Sequence, residues 1–129
     1  QCIVVLGMRH DGRIMVLPKD LVAASATPII LALLKKGDSY GYEIIGKVRE
    51  VSDDHIAWTD GMLYPVLHRM EGAGFIESYW KQSDSGRKRK YYHITDAGMA
   101  EYEILRSQWF VVHRALQILE DAPQEHIHV

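Results

Sequence analysis

The feature that most restricts the fold is a pair of short strand-like segments joined by a polar tip. Residues 75–81 (FIESYWK) and 90–95 (KYYHIT) are rich in aromatic and β-branched residues, which is typical of strands. The eight residues between them, QSDSGRKR, contain Gly86 and small polar side chains that favour a turn. The sequence therefore predicts a two-stranded β-hairpin in a chain whose other periodic segments are helical.

The same hairpin concentrates positive charge. The chain of 129 residues has a formal net charge of −2, yet residues 75–93 hold five cations and two anions, a local charge of +3. Four of these cations are consecutive, from Arg87 to Lys90. Such a run can be a solvated face that keeps a protein soluble. It can also attract phosphates, because attraction to nucleic acid depends on the local field and not on the net charge.

The first helical segment is apolar over residues 21–34 and is followed by two lysines and Gly37, a common helix stop. Pro28 inside it leaves two interpretations open. Either a helix begins there with Thr27 as its N-cap, or a helix that begins near Asp20 is kinked at the proline.

Two further helical segments precede the hairpin and are joined by a short polar connection. Residues 39–51 carry apolar side chains at helical spacing, and a third helix begins near Gly61, after the cap candidates Thr59 and Asp60. Its apolar stripe consists of Leu63, Leu67 and Met70. Two short helices followed by a basic hairpin form a winged helix-turn-helix arrangement, in which the second helix of the pair enters the DNA major groove.

The predicted DNA contacts come from these two helices and from the wing. Tyr64 and His68 lie four residues apart on a different face from the apolar stripe, so we expect them to face bases. One of Tyr40 and Tyr42 is expected in the core, and the other is expected to donate its hydroxyl to a phosphate. Asp60 either caps the helix or accepts a hydrogen bond from a cytosine amino group. The full predicted set is Tyr40, Tyr42, Thr59, Asp60, Met62, Tyr64, Pro65, His68, Arg69, Arg87, Lys88, Arg89 and Lys90.

A long C-terminal helix with an apolar seam is predicted after Thr95. The seam residues are spaced alternately by three and four: Tyr102, Leu105, Trp109, Val112, Leu116 and Leu119. The seam either packs on the chain's own core or is covered by a second copy. We favour a homodimer, because two-fold dimers are the commonest oligomers and match a palindromic operator on double-stranded DNA.

The predicted organisation has four parts. They are a poorly ordered N-terminal extension (1–17), a winged helix-turn-helix domain (18–95), a C-terminal dimerisation helix (96–122) and a tail (123–129). The fold class is therefore mainly α with a two-stranded β wing.

Other classes of function have little support in the sequence. The seven histidines are scattered without partners at metal-ligand spacing, and no nucleophile, paired acids or phosphate-binding glycine motif is recognisable. We therefore expect no enzyme activity, no metal and no cofactor. No apolar run reaches the roughly 18 residues that span a bilayer, so no membrane partner is expected. The single cysteine, Cys2, suits a reducing compartment, and we expect a cytoplasmic protein.

Three stretches resemble the PadR family of transcriptional regulators: GDSYGYEIIGKV, GMLYPVLHRMEGAGFIESYW and GRKRKYYHITDAG. They follow the family's order and spacing, and the resemblance covers residues 18–120. A single helix after the wing is similar to the shorter subfamily, which includes multidrug-sensing repressors. Two positions depart from the family pattern: Asp60 places an acid at the start of the recognition helix, and Met62 stands where the family often has threonine. Both leave the base preference open.

The resemblance also implies a ligand site. In the multidrug-sensing relatives, tryptophans that match Trp109 flank a pore at the dimer centre and stack on planar ligands. The corresponding pore residues here are Ala24, Thr27, Pro28, Leu105, Arg106, Trp109, Val112 and His113. An aromatic residue on a helical stripe is more often simply core, which is the alternative for Trp109.

Two functions follow as hypotheses. The leading one is a dimeric, sequence-specific DNA-binding repressor that a small planar aromatic ligand releases from its operator. The alternative is a winged-helix module that binds protein and not DNA. The four adjacent cations of the wing favour the first hypothesis, because a protein-binding module has no need of them.

Overall fold

The structure is a computed structural model, and it describes residues 15–122. The elements in chain order are α1 (Lys19–Lys35), β1 (Ser39–Tyr40), α2 (Gly41–Val51), α3 (Asp60–Gly72), β2 (Ile76–Gln82), β3 (Lys88–Ile94) and α4 (Asp96–Asp121). The predicted order of three helices, a hairpin and a long helix is confirmed. The predictions for residues 1–14 and for the tail lie outside the described residues. Within residues 15–122, no helix is long and apolar enough to cross a membrane.

Helix α1 settles the two interpretations of the first apolar segment. It begins at Lys19, directly after Pro18, and continues through Pro28 without a break. Thr27 is therefore an interior residue, and its predicted role as an N-cap is wrong. The helix lacks one backbone hydrogen bond at Pro28, because proline has no N–H group. It persists because one face, consisting of Ala26, Ile30, Leu31 and Leu34, is buried in the core.

Helices α2 and α3 form the helix pair. Ile44 and Val48 of α2 are buried. The connection turns sharply at Asp53 and Asp54, whose φ angles of 50° and 67° lie in the left-handed region that aspartate tolerates. Helix α3 begins at Asp60, and the Thr59 hydroxyl oxygen accepts a hydrogen bond from the Met62 backbone N–H at 3.3 Å. Thr59 is therefore the N-cap. As predicted, α3 buries the stripe of Leu63, Leu67 and Met70.

The wing is broader than predicted. The sheet has three strands in the order β1-β3-β2, because Ser39 and Tyr40 pair with Tyr92 and Tyr91. The sequence pattern predicts a helix start at residues 39 and 40, whereas the structure adds them to the predicted two-stranded wing as a third, short strand. A two-residue strand is too short to show an alternating pattern. The pairing has a consequence for the site, because it fixes the start of α2 to the base of the wing.

The core lies between α1, α2, α3 and the base of the sheet. Its buried apolar residues are Ala26, Ile30, Leu31, Leu34, Ile44, Val48, Trp58, Leu63, Leu67, Met70, Ile76, Tyr92 and Ile94. The first turns of α4 pack on this core through the half-buried Tyr102 and Leu105. Lys35 on α1 reaches the same turns, with its ammonium 3.5 Å from the Glu103 carboxylate and 4.7 Å from the centroid of the Tyr102 ring.

Candidate nucleic-acid interface

A basic cleft of about 610 Å³ lies where the start of α2, the start of α3 and the wing meet. Its lining residues are Tyr40, Gly41, Tyr42, Tyr64, Trp80, Arg87, Lys88, Arg89 and Lys90. Seven of these nine belong to the predicted set of DNA contacts, and the other two are Gly41 and Trp80. The structure thus brings together the helix pair and the wing tip, which lie more than 20 residues apart in the chain.

The floor of the cleft is the contact between α3 and the first residue of α2. The hydroxyl of Tyr64 touches Gly41, and a Cβ added at Gly41 would lie 2.9 Å from the Tyr64 ring carbon Cζ. Tyr64 is thereby held at the N-terminal end of α2. Unpaired backbone N–H groups and the helix dipole make such an end attractive to a phosphate. The ring remains 44% exposed, so it is accessible to a ligand in the cleft.

An aromatic and cationic ladder lies on the wing beside the cleft, and of its members Tyr40 and Arg89 line the cleft itself. The Tyr40 ring packs edge-on against Tyr91, with ring centroids 5.2 Å apart, and Tyr91 stacks on Tyr79 at 5.8 Å. The Arg89 guanidinium lies 4.3 Å from the Tyr40 centroid, a cation–π distance. Lys81 is 5.3 Å from the Tyr91 ring. Among the wing cations, Lys90 lies 5.9 Å from the Tyr92 ring, so Arg89 makes the shorter of the two aromatic contacts.

The wing tip is a closed turn. The Ser83 N–H donates to the Arg87 carbonyl at 2.8 Å, and the Gly86 N–H donates to the Ser83 carbonyl at 2.8 Å. Gly86 has φ of +87°, a conformation that favours glycine. Arg87, Lys88 and Lys90 are exposed, and none of the four wing cations forms an ion pair with another described residue. Their charge is thus available to an external anion.

The other residues of α3 in the predicted set of DNA contacts are exposed. Met62 is 46% exposed, and Pro65, His68 and Arg69 are also exposed. Since Thr59 caps the helix, Asp60 is not the cap and presents its carboxylate in the first turn, where the helix dipole stabilises negative charge.

The expectation that one of Tyr40 and Tyr42 lies in the core was wrong. Tyr42 is 79% exposed and Tyr40 is half-buried, so neither belongs to the core. Tyr40 is held by the sheet through Tyr91, and Tyr42 projects from the first turn of α2. The buried tyrosine is Tyr92, whose pKa is raised by burial.

Trp80 is a cleft residue that the sequence analysis missed. It pairs with Lys90 across the hairpin and is 66% exposed. Its position follows from the hairpin register, which pairs Trp80 with Lys90 and Gln82 with Lys88, so Trp80 lies on the same side of the sheet as both lysines. Alternation within β2 alone does not fix this register.

A hydrogen-bonded group ties the turn after α1 to the base of the wing. The Tyr79 hydroxyl donates to one Asp38 carboxylate oxygen at 2.6 Å, and the His93 Nδ1 lies 2.9 Å from the other. Burial opposes ionisation of Asp38, but the hydrogen bonds from Tyr79 and His93 outweigh it, so the pKa of Asp38 lies below its ordinary value. The bond to Asp38 raises the pKa of Tyr79 to about 12.

Helix α4 divides the predicted seam into two parts. Tyr102 and Leu105 pack on the chain's own core, as the alternative interpretation required. Beyond them the seam is exposed, with Val112, Leu116 and Leu119 between 56% and 63% exposed. The alternative that the seam packs on the chain's own core is therefore wrong for the second half of α4.

The residues of the predicted ligand pore lie on or near the surface of the single chain. Trp109 is 36% exposed, and Ala24, Arg106, Val112 and His113 are exposed as well. Thr27, Pro28 and Leu105 are half-buried. An enclosed pore of this composition requires a second α4.

The capped recognition helix, the basic wing and the long C-terminal helix define a winged helix-turn-helix protein of the DNA-binding class. Residues 30–104 match the family described as the Transcriptional regulator PadR-like family. The chain belongs to this family of transcriptional regulators, and it is not an enzyme.

Two relatives and two solved structures illustrate the similarity. The chain is 32% identical over 99 residues to an uncharacterized protein of Lysinibacillus sphaericus, covering 77% of this chain and 91% of that protein. It is 28% identical over 87 residues to the negative transcriptional regulator PadR of Bacillus subtilis (strain 168), covering 67% of this chain and 46% of that protein. A transcriptional regulator from Clostridium thermocellum has a TM-score of 0.72 at 32% identity, covering 79% of this chain and 96% of that one. A PadR-like regulator from Bacillus cereus strain ATCC 14579 has a TM-score of 0.72 at 30% identity, covering 81% of this chain and 100% of that one.

Proposed function

We propose that this regulator is a homodimeric repressor that binds a palindromic operator through α3 and the wing. The observation that carries the proposal is the basic cleft, in which Tyr64 lies at the start of α2 beneath the wing cations. Repression is supported by the similarity to the negative regulator of Bacillus subtilis. The proposed division of the chain is 18–95 for DNA binding and 96–122 for dimerisation.

The proposed contacts divide into two kinds. Wing cations bind phosphates, which supply affinity without sequence preference, whereas Tyr64 and His68 on α3 contact base edges. Arg89 reaches the DNA backbone with its guanidinium held against the Tyr40 ring. Trp80 is added to the proposed set, because its exposed indole N–H can donate to a phosphate oxygen.

The proposed dimer uses the exposed half of α4. Apolar side chains along this helix are exposed on the single chain, and a second copy covers them with the same residues in return. Two such copies place two recognition helices on one face of DNA, which is the geometry that a palindrome requires.

A salt series tests the DNA-binding proposal directly. Anisotropy of a labelled fragment from the promoter of the regulator's own gene is measured at several salt concentrations. We expect the logarithm of the binding constant to fall with a slope near −0.9 per phosphate neutralised. A chain that binds no promoter fragment at low salt would favour the alternative, a protein-binding winged helix.

The proposed effector is a small planar aromatic molecule that binds beside Trp109 at the dimer axis. It releases DNA only if it binds the dimer's DNA-incompetent form more tightly than the competent form. We expect such a ligand to quench tryptophan fluorescence and to weaken operator binding at the same concentrations. The Trp109→Ala variant is the control, and unchanged ligand affinity in it would place the site elsewhere.

A further inference from the structure

A cavity separate from the basic cleft lies between the start of α1, the α2–α3 connection and the start of α3. It has a volume of about 620 Å³ and mainly apolar walls, including Val22 and Ala23 of α1 and Ile56 of the connection. An adjoining cavity of about 200 Å³ shares Val22, Ala23, Trp58 and Met62 with it. The larger volume falls within the range of small-molecule sites, about 300–1,000 Å³.

Two residues that line this cavity each carry a buried ring nitrogen with no hydrogen-bond partner among the described residues. The two nitrogens are Nε1 of Trp58, a side chain only 5% exposed, and Nε2 of His55. The other ring nitrogen of His55 lies 2.8 Å from the Ser52 carbonyl oxygen and therefore donates to it. In the neutral ring this leaves His55 Nε2 as an acceptor, whereas the Trp58 indole is a donor only.

The unpaired donor and the unpaired acceptor indicate a ligand that can both donate and accept a hydrogen bond. Buried polar groups in native proteins are nearly always hydrogen-bonded, so an unpaired donor and an unpaired acceptor three residues apart indicate a missing partner. A hydroxyl group can donate to one nitrogen and accept from the other. We propose that this cavity binds a small apolar alcohol, whose hydroxyl donates to His55 Nε2 and accepts from Trp58 Nε1.

Met62 gives such a ligand access to the two nitrogens. Its side chain borders both cavities and is 46% exposed, and a methionine side chain readily changes rotamer. In the proposed binding event Met62 changes rotamer to let the hydroxyl reach Trp58, and the helix cap stays in place because it uses the Met62 backbone N–H.

Met62 also connects this cavity with α3. Its backbone N–H donates to the N-cap Thr59, and its side chain belongs to the proposed DNA-contact face. A ligand that displaces Met62 changes the first turn of α3 at the DNA surface, so we infer weaker operator binding in its presence. This coupling rests on the proposed DNA-binding function, but the ligand site itself does not.

The first experiment compares two probes of the same shape with the full chain. Menthol carries a hydroxyl, whereas menthone carries a carbonyl that accepts but cannot donate to His55. Neither is planar, which separates this cavity from the slot beside Trp109. We expect menthol to bind about tenfold more tightly than menthone and to shift the indole N–H resonance of Trp58. Equal affinities, or an unmoved Trp58 resonance on menthol binding, would overturn the proposal.

Three variants locate the site. Trp58→Phe keeps an apolar ring but removes the donor, so menthol affinity should fall about tenfold. Ala23→Phe avoids the core, because Ala23 is an exposed residue of α1 that borders both cavities. It should fill the space and abolish menthol binding without changing helix content, even if Trp58→Phe fails to fold. Trp109→Phe should leave menthol affinity unchanged, and a loss there would place the site on α4.

The second experiment measures promoter binding with and without menthol. The wild type should lose several-fold in DNA affinity when menthol is present, whereas Ala23→Phe should be insensitive. DNA affinity that is unchanged while menthol is bound would contradict the coupling through Met62. A wild type that binds no promoter DNA at all would instead remove the proposed function, and the menthol titration would still decide the cavity.

Discussion

The backbone of Gly98 lies directly against the carbonyl oxygen of Phe75. Gly98 is buried in the first turn of α4, and a Cβ at this position would overlap that oxygen and lie 2.8 Å from the Ile94 Cγ1. Thr95 completes the junction, because its hydroxyl accepts from the Gly98 N–H at 3.0 Å and donates to the Gly74 carbonyl at 2.6 Å. The chain therefore passes from the sheet into α4 through one rigid, closely packed joint.

Gly98→Ala should destabilise the fold, because the added methyl group meets backbone that cannot rotate away. We expect a loss of about 1–3 kcal/mol in the free energy of unfolding, measured with denaturant. Gly46→Ala is the matched control, since nothing lies within 4 Å of its added Cβ in α2. The free energy of unfolding of that control should rise by about 0.5–1 kcal/mol. Equal effects at both sites would contradict the close contact between Gly98 and Phe75.

Gly41→Ala should impair DNA binding more than stability. The added methyl group meets the far end of the Tyr64 side chain, which can change rotamer. The free energy of unfolding should therefore fall by less than about 1 kcal/mol. The displaced Tyr64 no longer lies at the start of α2, and promoter affinity should fall about tenfold. Anisotropy titration and denaturant unfolding of the same preparation separate the two effects. Unaltered affinity would show that the position of Tyr64 has no part in binding.

Lys88→Ala should weaken binding about equally on all sequences and reduce the magnitude of the salt slope by about one. His68→Ala should instead change which sequences are preferred, because base contacts specify and phosphate contacts position. Lys47→Ala is the control cation, paired with Glu43 at 3.8 Å on α2 and absent from the cleft. A change of preference in the wing variant, without one in the helix variant, would reverse the two roles.

Asp38→Asn should remove a pH-dependent part of the stability. The pKa of Asp38 is lowered in the folded chain, so its contribution is present above the unfolded value of about 3.9 and is lost as the pH falls through the lower folded value. Because the group is partly exposed, we expect less than about 1 kcal/mol between wild type and variant at pH 7. The difference should vanish in acid. Asp53→Asn serves as the control, and a difference that persisted unchanged in acid would refute the ionic origin.

Leu116→Asp should yield monomers and abolish operator binding. The change places a charge in the centre of the proposed α4 interface, where it would be buried without a partner. Gln117→Asp adds the same charge at the adjacent position outside the apolar seam and should leave the dimer intact. Sedimentation at micromolar concentration distinguishes the outcomes, and a monomeric wild type would remove the basis of the proposal.

Features carried by long periodic segments could be predicted from the sequence. The buried stripe of α3 follows from its spacing, and the hairpin follows from strand-forming residues on either side of a turn-forming segment. Strand β1 could not be predicted, because its two residues are extended only through pairing with Tyr91 and Tyr92. The continuous α1 was also undecided, since burial of one face outweighs the missing donor at Pro28.

The remaining features of the site depend on contacts between distant residues. The Gly41–Tyr64 contact joins two helices, and no local pattern signals it. The cavity at Trp58 requires the start of α1 to lie beside the α2–α3 connection. The position of Trp80 beside Lys90 depends on the hairpin register, which alternation within one strand does not fix.

The joint at Gly98 and Thr95 fixes the direction of the long helix α4 to the base of the wing. At about 1.5 Å per residue, its 26 residues extend for about 39 Å from the base of the wing. Because the joint is rigid, a rotation of α4 by about 5° about its far end carries the sheet with it and displaces the base of the wing by roughly 3 Å. In a dimer joined along α4, the same rotation changes the separation of two recognition helices that must span about 34 Å between successive major grooves. The protein can thus convert a slight change of helix crossing into a mismatch with the pitch of DNA.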